Sequence, residues 1–313
     1  MGQGSGKGKV ILFGEHFVVY GLPAVAAGIA AETTAEVTRT DTPGWTIEDL
    51  RPETPGYKVE KAEEQKASTD RVIRHLGLDL AKRGVHIKLG GNLVAASGIG
   101  ASAANCVALA RALNAEFQLD LTADQINEAA YEGEKGYHGT PSGIDNTAST
   151  FGGLIWYVRN PAGGVPVFEK LKLKKQVGLV IGSTGLTAST KKVVDDVAVK
   201  KSSDPRWFDS IAEEYKDLVR EARESLLRID LKKTGQLMNK NQEMLRSLTV
   251  SCPELETLIQ EALRNGALGA KLTGTGRGGL MISLVPDKRT TEQVAGALQK
   301  AGAAAVWKTT FGQ

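Results

Sequence analysis

The densest chemical signal in this 313-residue chain is a glycine-rich turn, Gly98-Ile99-Gly100-Ala101-Ser102-Ala103-Ala104. Glycines let the backbone approach a ligand closely, and the free amides and positive dipole of a helix N-terminus favour negative charge. Residues 85–89 before the turn alternate apolar and polar, as in a half-buried strand. Residues 102–117 after it carry Ala103, Cys106, Val107, Ala110, Leu113 and Phe117 at helical spacing. Strand, glycine turn and helix start together make an anion site, and the ligand suggested is a phosphate. Other groups could do chemistry beside one. Lys9 stands just before Val10-Ile-Leu-Phe13, a run that suits a strand buried on both faces, and Gly14-Glu15-His16 stands just after it. Glu134 lies at the end of a helical stretch. Asp145 follows Pro141-Ser-Gly143, which breaks that helix, so both carboxylates can return to one place.

At this length two domains are expected to position those groups, since one hydrophobic core rarely grows so large. A composition of 41% hydrophobic and 24% charged residues fits an ordinary globular protein. The net charge of +3 is too small to indicate nucleic acid. Lysines 170, 172 and 174 alternate with leucines and fit the solvated face of a strand. Two cysteines, Cys106 and Cys252, make no disulfide framework and suit a reducing compartment. No leader, lipidation signal or membrane-spanning run is evident, so cytoplasmic action without a membrane partner is expected.

Three kinds of phosphate loop share the look of residues 98–104. The turn fits G-x-G-x-x-[GA], but a dinucleotide unit needs a second parallel strand after the helix. Here Leu121-Thr122-Ala-Asp-Gln125 starts another helix, to about residue 135, with a capping box. The G-x(4)-G-K-[ST] pattern is absent, because Gly4-Ser-Gly-Lys7 lacks both the spacing and the hydroxyl. The third kind belongs to the small-metabolite kinases that include galactokinase, homoserine kinase, mevalonate kinase and phosphomevalonate kinase. Residues 98–104 resemble their second motif, G-[LI]-G-[SA]-S-[SA]-A, with Val94 where a proline is common. The run Gly8-Lys9-Val-Ile-Leu-Phe-Gly14-Glu15-His16-Phe-Val-Val-Tyr-Gly21 closely resembles the first motif of mevalonate kinases. His138-Gly-Thr-Pro-Ser-Gly-Ile-Asp145-Asn146, with Glu134 eleven residues before Asp145, resembles another of their patterns. Lys271-Leu-Thr-Gly274-Thr-Gly-Arg277-Gly-Gly279 resembles their third motif, with Arg277 where many relatives have glycine.

The resemblance covers nearly the whole chain and implies an α+β fold. Residues 1–180 would form an ATP-binding domain like the second domain of ribosomal protein S5, and residues 181–313 a ferredoxin-like domain. The implied reaction is ATP-dependent phosphorylation of mevalonate on its C5 hydroxyl, giving 5-phosphomevalonate for isoprenoid synthesis. By the same resemblance Gly98, Ile99, Gly100, Ala101, Ser102, Ala103 and Ala104 hold the ATP phosphates, and Ser102 and Glu134 ligate Mg2+. Asp145 faces the attacking hydroxyl and Lys9 stabilises its developing charge. Glu15, His16, Thr184 and Gly274 are weaker candidates for substrate contacts, and His138 is a turn residue beside the site. The partners implied are mevalonate and ATP, and a homodimer is admitted. The alternatives are another kinase of the superfamily (phosphomevalonate kinase or mevalonate 3-kinase) and a sensor that binds without turnover. The intact set Lys9, Ser102, Glu134 and Asp145 speaks against a sensor.

Elsewhere the patterns predict strands at 24–29, 33–38, 154–158, 177–181, 280–285 and 304–309. Helices are predicted at 68–83, 191–201, 207–228, 231–248, 253–265 and 291–301, with turns at 42–44, 51–56 and 160–164.

Overall fold

The computed structural model describes residues 1–53, 56–95, 98–162 and 166–312. Its packing divides the chain into two compact units. The first holds Met1–Lys9 and Gly28–Gly152; the second holds Val10–Ala27 and the chain from Gly153 onward.

In chain order the first unit takes residues from β1 (Gly2–Phe13), β2 (Ala24–Thr40), β3 (Trp45–Asp49), α1 (Tyr57–Glu60), α2 (Ala62–His75) and β4 (Gly84–Gly91). Helices α3 (Ala101–Phe117), α4 (Ala123–His138) and α5 (Ile144–Phe151) complete it. Strand β4 pairs antiparallel with β2, Val37 opposite Ile87, and parallel with β3. One face of these strands, with Val37, Val85, Ile87 and Leu89, packs with Val72, Val107, Leu113 and Ile126 of the helices. Burying each such side chain is worth about 1.5–3 kcal/mol.

Strand β1 approaches α3 in a different way, through its backbone. A Cβ built on Gly2 would lie 2.3 Å from the Ala112 carbonyl oxygen, one on Gly4 2.5 Å from that of Ala108, and one on Gly6 2.1 Å from that of Ala104. The ladder works because the two repeats nearly match: two strand residues advance about 6.7 Å and four helical residues about 6 Å. Alternate glycines therefore meet one alanine per helical turn. These glycines are missing from the sequence reading, which starts the strand only at Val10.

The second unit takes β5 (Leu154–Val158), β6 (Val167–Leu171), β7 (Val177–Ser183), α6 (Thr190–Ser203), α7 (Pro205–Arg228), α8 (Leu231–Ser247) and α9 (Pro253–Arg264). It ends with β8 (Gly269–Thr273), β9 (Leu280–Val285), α10 (Lys288–Lys300) and β10 (Ala305–Phe311). Residues Ala24–Ala27 of β2 pair antiparallel with β5, which pairs with β6. The other sheet has the order β10-β7-β9-β8, antiparallel throughout. Counted among themselves these strands run 4-1-3-2 with helices after the first and third, the ferredoxin-like arrangement expected.

Several boundaries differ from the sequence reading. The helix expected at 68–83 is α2, which begins earlier and stops at His75. Gly77, at φ +67°, ends it in a left-handed turn in which Gly77 N–H donates to Arg74 and Leu78 N–H to Ile73. The strands expected at 24–29 and 33–38 are one continuous β2. Strands β3 and β8 and helix α5 are unforeseen. The alternating lysines lie mostly past β6, which closes at Leu171. Residues 54–55 and 163–164 of two expected turns lie outside the described residues.

Gly6→Ala is expected to destabilise the protein by about 1–3 kcal/mol, the usual cost of overpacking. Urea unfolding of the two proteins measures it, and a loss under about 0.5 kcal/mol would show that β1 can move away from α3 without cost.

Candidate functional site

Ten of the sequence-derived candidates, Lys9, residues 98–104, Glu134 and Asp145, come together in the first unit. Lys9 reaches the end of the glycine ladder, where its N–H donates to Ile99 at 2.8 Å. That bond lays the strand along the glycine turn. Gly100 sits at φ +79°, and a Cβ there would meet Lys9 Cγ at 2.7 Å. So Gly100 has two reasons to be glycine, its left-handed backbone and the lysine beside it. Helix α3 begins at the next residue and has no side-chain cap. Its first amides point at whatever lies before the turn.

Glu134 comes from α4, whose start is fixed by the expected capping box. Gln125 N–H donates to Thr122 Oγ1, and Thr122 N–H to Gln125 Oε1. At the far end of that helix the Glu134 carboxylate is buried, with 1% of the side chain exposed. Its Oε1 has no hydrogen-bond partner among the described residues. Burial first, and the nearby Asp145 second, push its carboxyl up to about 8, while Ser102 and Lys9 pull the other way. His138, one turn along, lies with Nε2 3.3 Å from Ser102 Oγ and 3.9 Å from Glu134 Oε2. Burial lowers its pKa.

Asp145 stands in the first turn of α5, after Gly143 at φ +85°. Its Oδ1 lies 2.9 Å from Lys9 Nζ. The lysine side chain is 7% exposed and the aspartate 30%, so the pair is shielded on one side and open on the other.

The remaining candidates belong to the second unit. Glu15 is fully buried in an ion pair with Lys271 of β8. His16, at φ +62°, has Nε2 2.8 Å from the Thr275 carbonyl, to which it donates. Thr184 donates to the Gly279 carbonyl through both N–H and Oγ1. Gly274 is left-handed, with open space where a Cβ would stand. Arg277, also left-handed, donates its N–H to Val250 and its Nε to Thr249, and pairs with Asp196 of α6. A glycine there would keep the turn and lose that strap. Lys271 carried no signal beyond its motif: a lysine within a five-residue buried strand.

The family model for the GHMP kinases N terminal domain matches residues 66–153, and that for the GHMP kinases C terminal matches residues 222–304. The mevalonate kinase of Thermococcus sibiricus is 35% identical over 95% of this chain and 92% of its own length. The chain belongs to the GHMP kinases. The mevalonate kinase of Pyrococcus horikoshii is 34% identical over the same shares. Among solved structures, L. major mevalonate kinase in complex with R-mevalonate superposes with a TM-score of 0.94 at 44% identity. It covers 100% of this chain and 96% of its own.

For a GHMP kinase the unpaired, buried Glu134 oxygen has a ready explanation. A buried carboxylate oxygen without a partner is costly. A hard divalent cation held by Glu134 and the Ser102 hydroxyl would satisfy it. The donor set fits Mg2+.

The buried His16 ring sets a pH dependence of stability. Burial, and then the charges of Arg277 and Lys271, lower its pKa against the hydrogen bond to Thr275, which raises it. Its Nδ1 has no partner among the described residues. The folded state therefore resists a proton that the unfolded chain accepts near pH 6.5, and stability is lost as pH falls below that value. Melting temperatures of wild type and His16→Asn between pH 7.5 and 5 test this, asparagine being tolerant of the left-handed backbone. The variant should lose less on acidification; equal losses would place the acid sensitivity elsewhere.

Proposed function

We propose that this chain transfers the γ-phosphoryl group of ATP to the C5 hydroxyl of mevalonate, giving 5-phosphomevalonate and ADP. The carrying observation is the Lys9–Asp145 pair at 2.9 Å, in the same cluster as the buried Glu134. Similarity to mevalonate kinases over 95% of the chain supports the substrate. So does the bound R-mevalonate of the L. major enzyme.

Phosphoryl transfer needs positioning and charge neutralisation more than covalent help. The amides at the start of α3, presented by the turn through Gly98 and Gly100, hold the phosphates. Ser102 and Glu134 would hold Mg2+, which when bound would neutralise charge on the phosphate oxygens; Ala101 offers no hydroxyl and adds nothing to that set. Asp145 orients the substrate hydroxyl and takes its proton. The freed oxygen bonds to the γ-phosphorus as the bond to the β–γ bridging oxygen breaks, and ADP leaves with that electron pair. Lys9 stabilises negative charge on the attacking oxygen.

The reading keeps His16 and Gly274 of the second unit as weaker candidates for substrate contacts, the first with an Nδ1 that has no partner among the described residues and the second with open space beside its Cα. Thr184 and Glu15 support them, the latter through its partner Lys271. The reading keeps a division into domains 1–180 and 181–313, and the two family-model matches lie on either side of it. Cytosolic action suits the free thiols Cys106 and Cys252. No described helix is long and apolar enough to cross a membrane.

Phosphorus NMR of the product from mevalonate and ATP should show a phosphate on the primary C5 oxygen. A 3-phosphate, or turnover of galactose but not of mevalonate, would overturn the substrate assignment. Asp145→Asn should lower kcat by about 10²- to 10⁴-fold, the usual worth of a general base, with little change in the KM for ATP. Lys9→Met should also lower kcat, and the double variant should lose less than the two costs summed. An Asp145→Asn enzyme that keeps more than half its kcat would reduce Asp145 to an orienting or structural residue.

A further inference from the structure

Arg111 lies on α3 in the run Ala110-Arg111-Ala112, its two neighbours buried. Its guanidinium joins two elements that otherwise end far apart in sequence. One nitrogen donates to the Ser5 carbonyl of β1 at 2.6 Å, and the other donates to the Thr150 carbonyl of α5 at 2.6 Å. Ser5 precedes Lys9 by four residues on one strand, and Thr150 follows Asp145 by five residues on one helix. A single planar group therefore fixes the strand that carries the lysine against the helix that carries the aspartate.

Two features make Arg111 suited to this. The guanidinium is a rigid fork with donors at set angles, so it fixes a distance between two acceptors, which a lysine ammonium does not. The Thr150 carbonyl lies in the last turn of α5, where carbonyls lack helical partners and a cation is favoured by the dipole. Desolvation lowers the Arg111 pKa, the mark of a charge drawn inward.

Helix α5 is also held from α4, along its length. Asn146 Nδ2 donates to Asn127 Oδ1 at 2.7 Å, Thr150 Oγ1 donates to the same oxygen, and Asn127 Nδ2 donates to Thr147. That clasp sets Asp145 relative to the helix of Glu134. It does not set Asp145 relative to β1. The bond through Arg111 does.

We propose that Arg111 is a positioning residue for phosphoryl transfer, holding the Lys9–Asp145 pair in register through the carbonyls of Ser5 and Thr150. The proposal rests on the catalytic reading of Lys9 and Asp145. Misplacement by about 1 Å can cost 10²-fold, so Arg111→Met should lower kcat by roughly 10- to 100-fold with the KM for ATP changed less than about threefold. The deciding measurement is a double-mutant cycle. In an Asp145→Asn background there is no base left to position, and Arg111→Met should change kcat by less than about threefold. An equal fold-loss in both backgrounds would make Arg111 merely structural and overturn the proposal. Arg111→Lys, which keeps the charge but serves one carbonyl at a time, should fall between wild type and Arg111→Met. It carries the same cycle if the methionine variant does not fold. An Asp145→Asn enzyme with near-normal kcat, by contrast, would remove the catalytic reading itself, and the proposal with it.

Discussion

The contact on which the first unit depends is backbone against backbone, β1 on α3. Side chains normally hold packed layers apart, about 10 Å for two sheets, and here three alternate glycines remove them. Once Gly6 lies against Ala104, the next turns of both elements are constrained. The strand meets the glycine turn at Ile99, and Lys9 lies where a Cβ on Gly100 would stand. The lysine is delivered by a strand that cannot slide, because each pleat is keyed to one helical turn.

The electrostatics of the cluster follow from that crowding. Two carboxylates, one lysine and a helix N-terminus share a small, partly dry space. The exposed side of Asp145 and its contact with Lys9 let that acid sit near a charge. Glu134, deeper and unpaired at Oε1, is in the opposite position, and its raised pKa expresses the cost. A site arranged in this way is incomplete without positive charge beside Glu134, which the cation of the proposed reaction would bring. The neighbouring carboxylates thus differ in what the protein itself provides for them.

Lys9, Ser102, Glu134 and Asp145 could be picked out of the sequence because phosphate chemistry narrows the residue types and their motifs narrow the spacing. The β1 glycines could not, since glycine in isolation signals flexibility and nothing local says that a helix lies against it. Helix α5 was equally hidden. Ile144-Asp-Asn-Thr-Ala-Ser-Thr-Phe151 is rich in residues with poor helix propensity, and tertiary bonds from Asn127 and Arg111 hold it. Arg111 itself looks like a stray charge on an apolar helix until both its carbonyl partners are known. Strand β8 was masked by the glycines that follow it, although Leu272 and Thr273 pair with Met281 and Leu280 of β9.

The buried pair of Glu15 and Lys271 has a consequence for how the chain is made. The two residues are 256 positions apart, and both lose their water in the folded protein. Ile11 and Thr273 exchange hydrogen bonds beside them, and His16 reaches Thr275. The segment Val10–Ala27 is made long before β8, β9 and β10, yet its unit cannot close until those strands emerge. At about 5–20 residues per second that is a wait of roughly 10–50 s. For most of it, Phe17 lacks Tyr215 of α7, the ring on which it stacks. On the ribosome this segment, more than the glycine turn, is the part of the newborn chain that needs shelter.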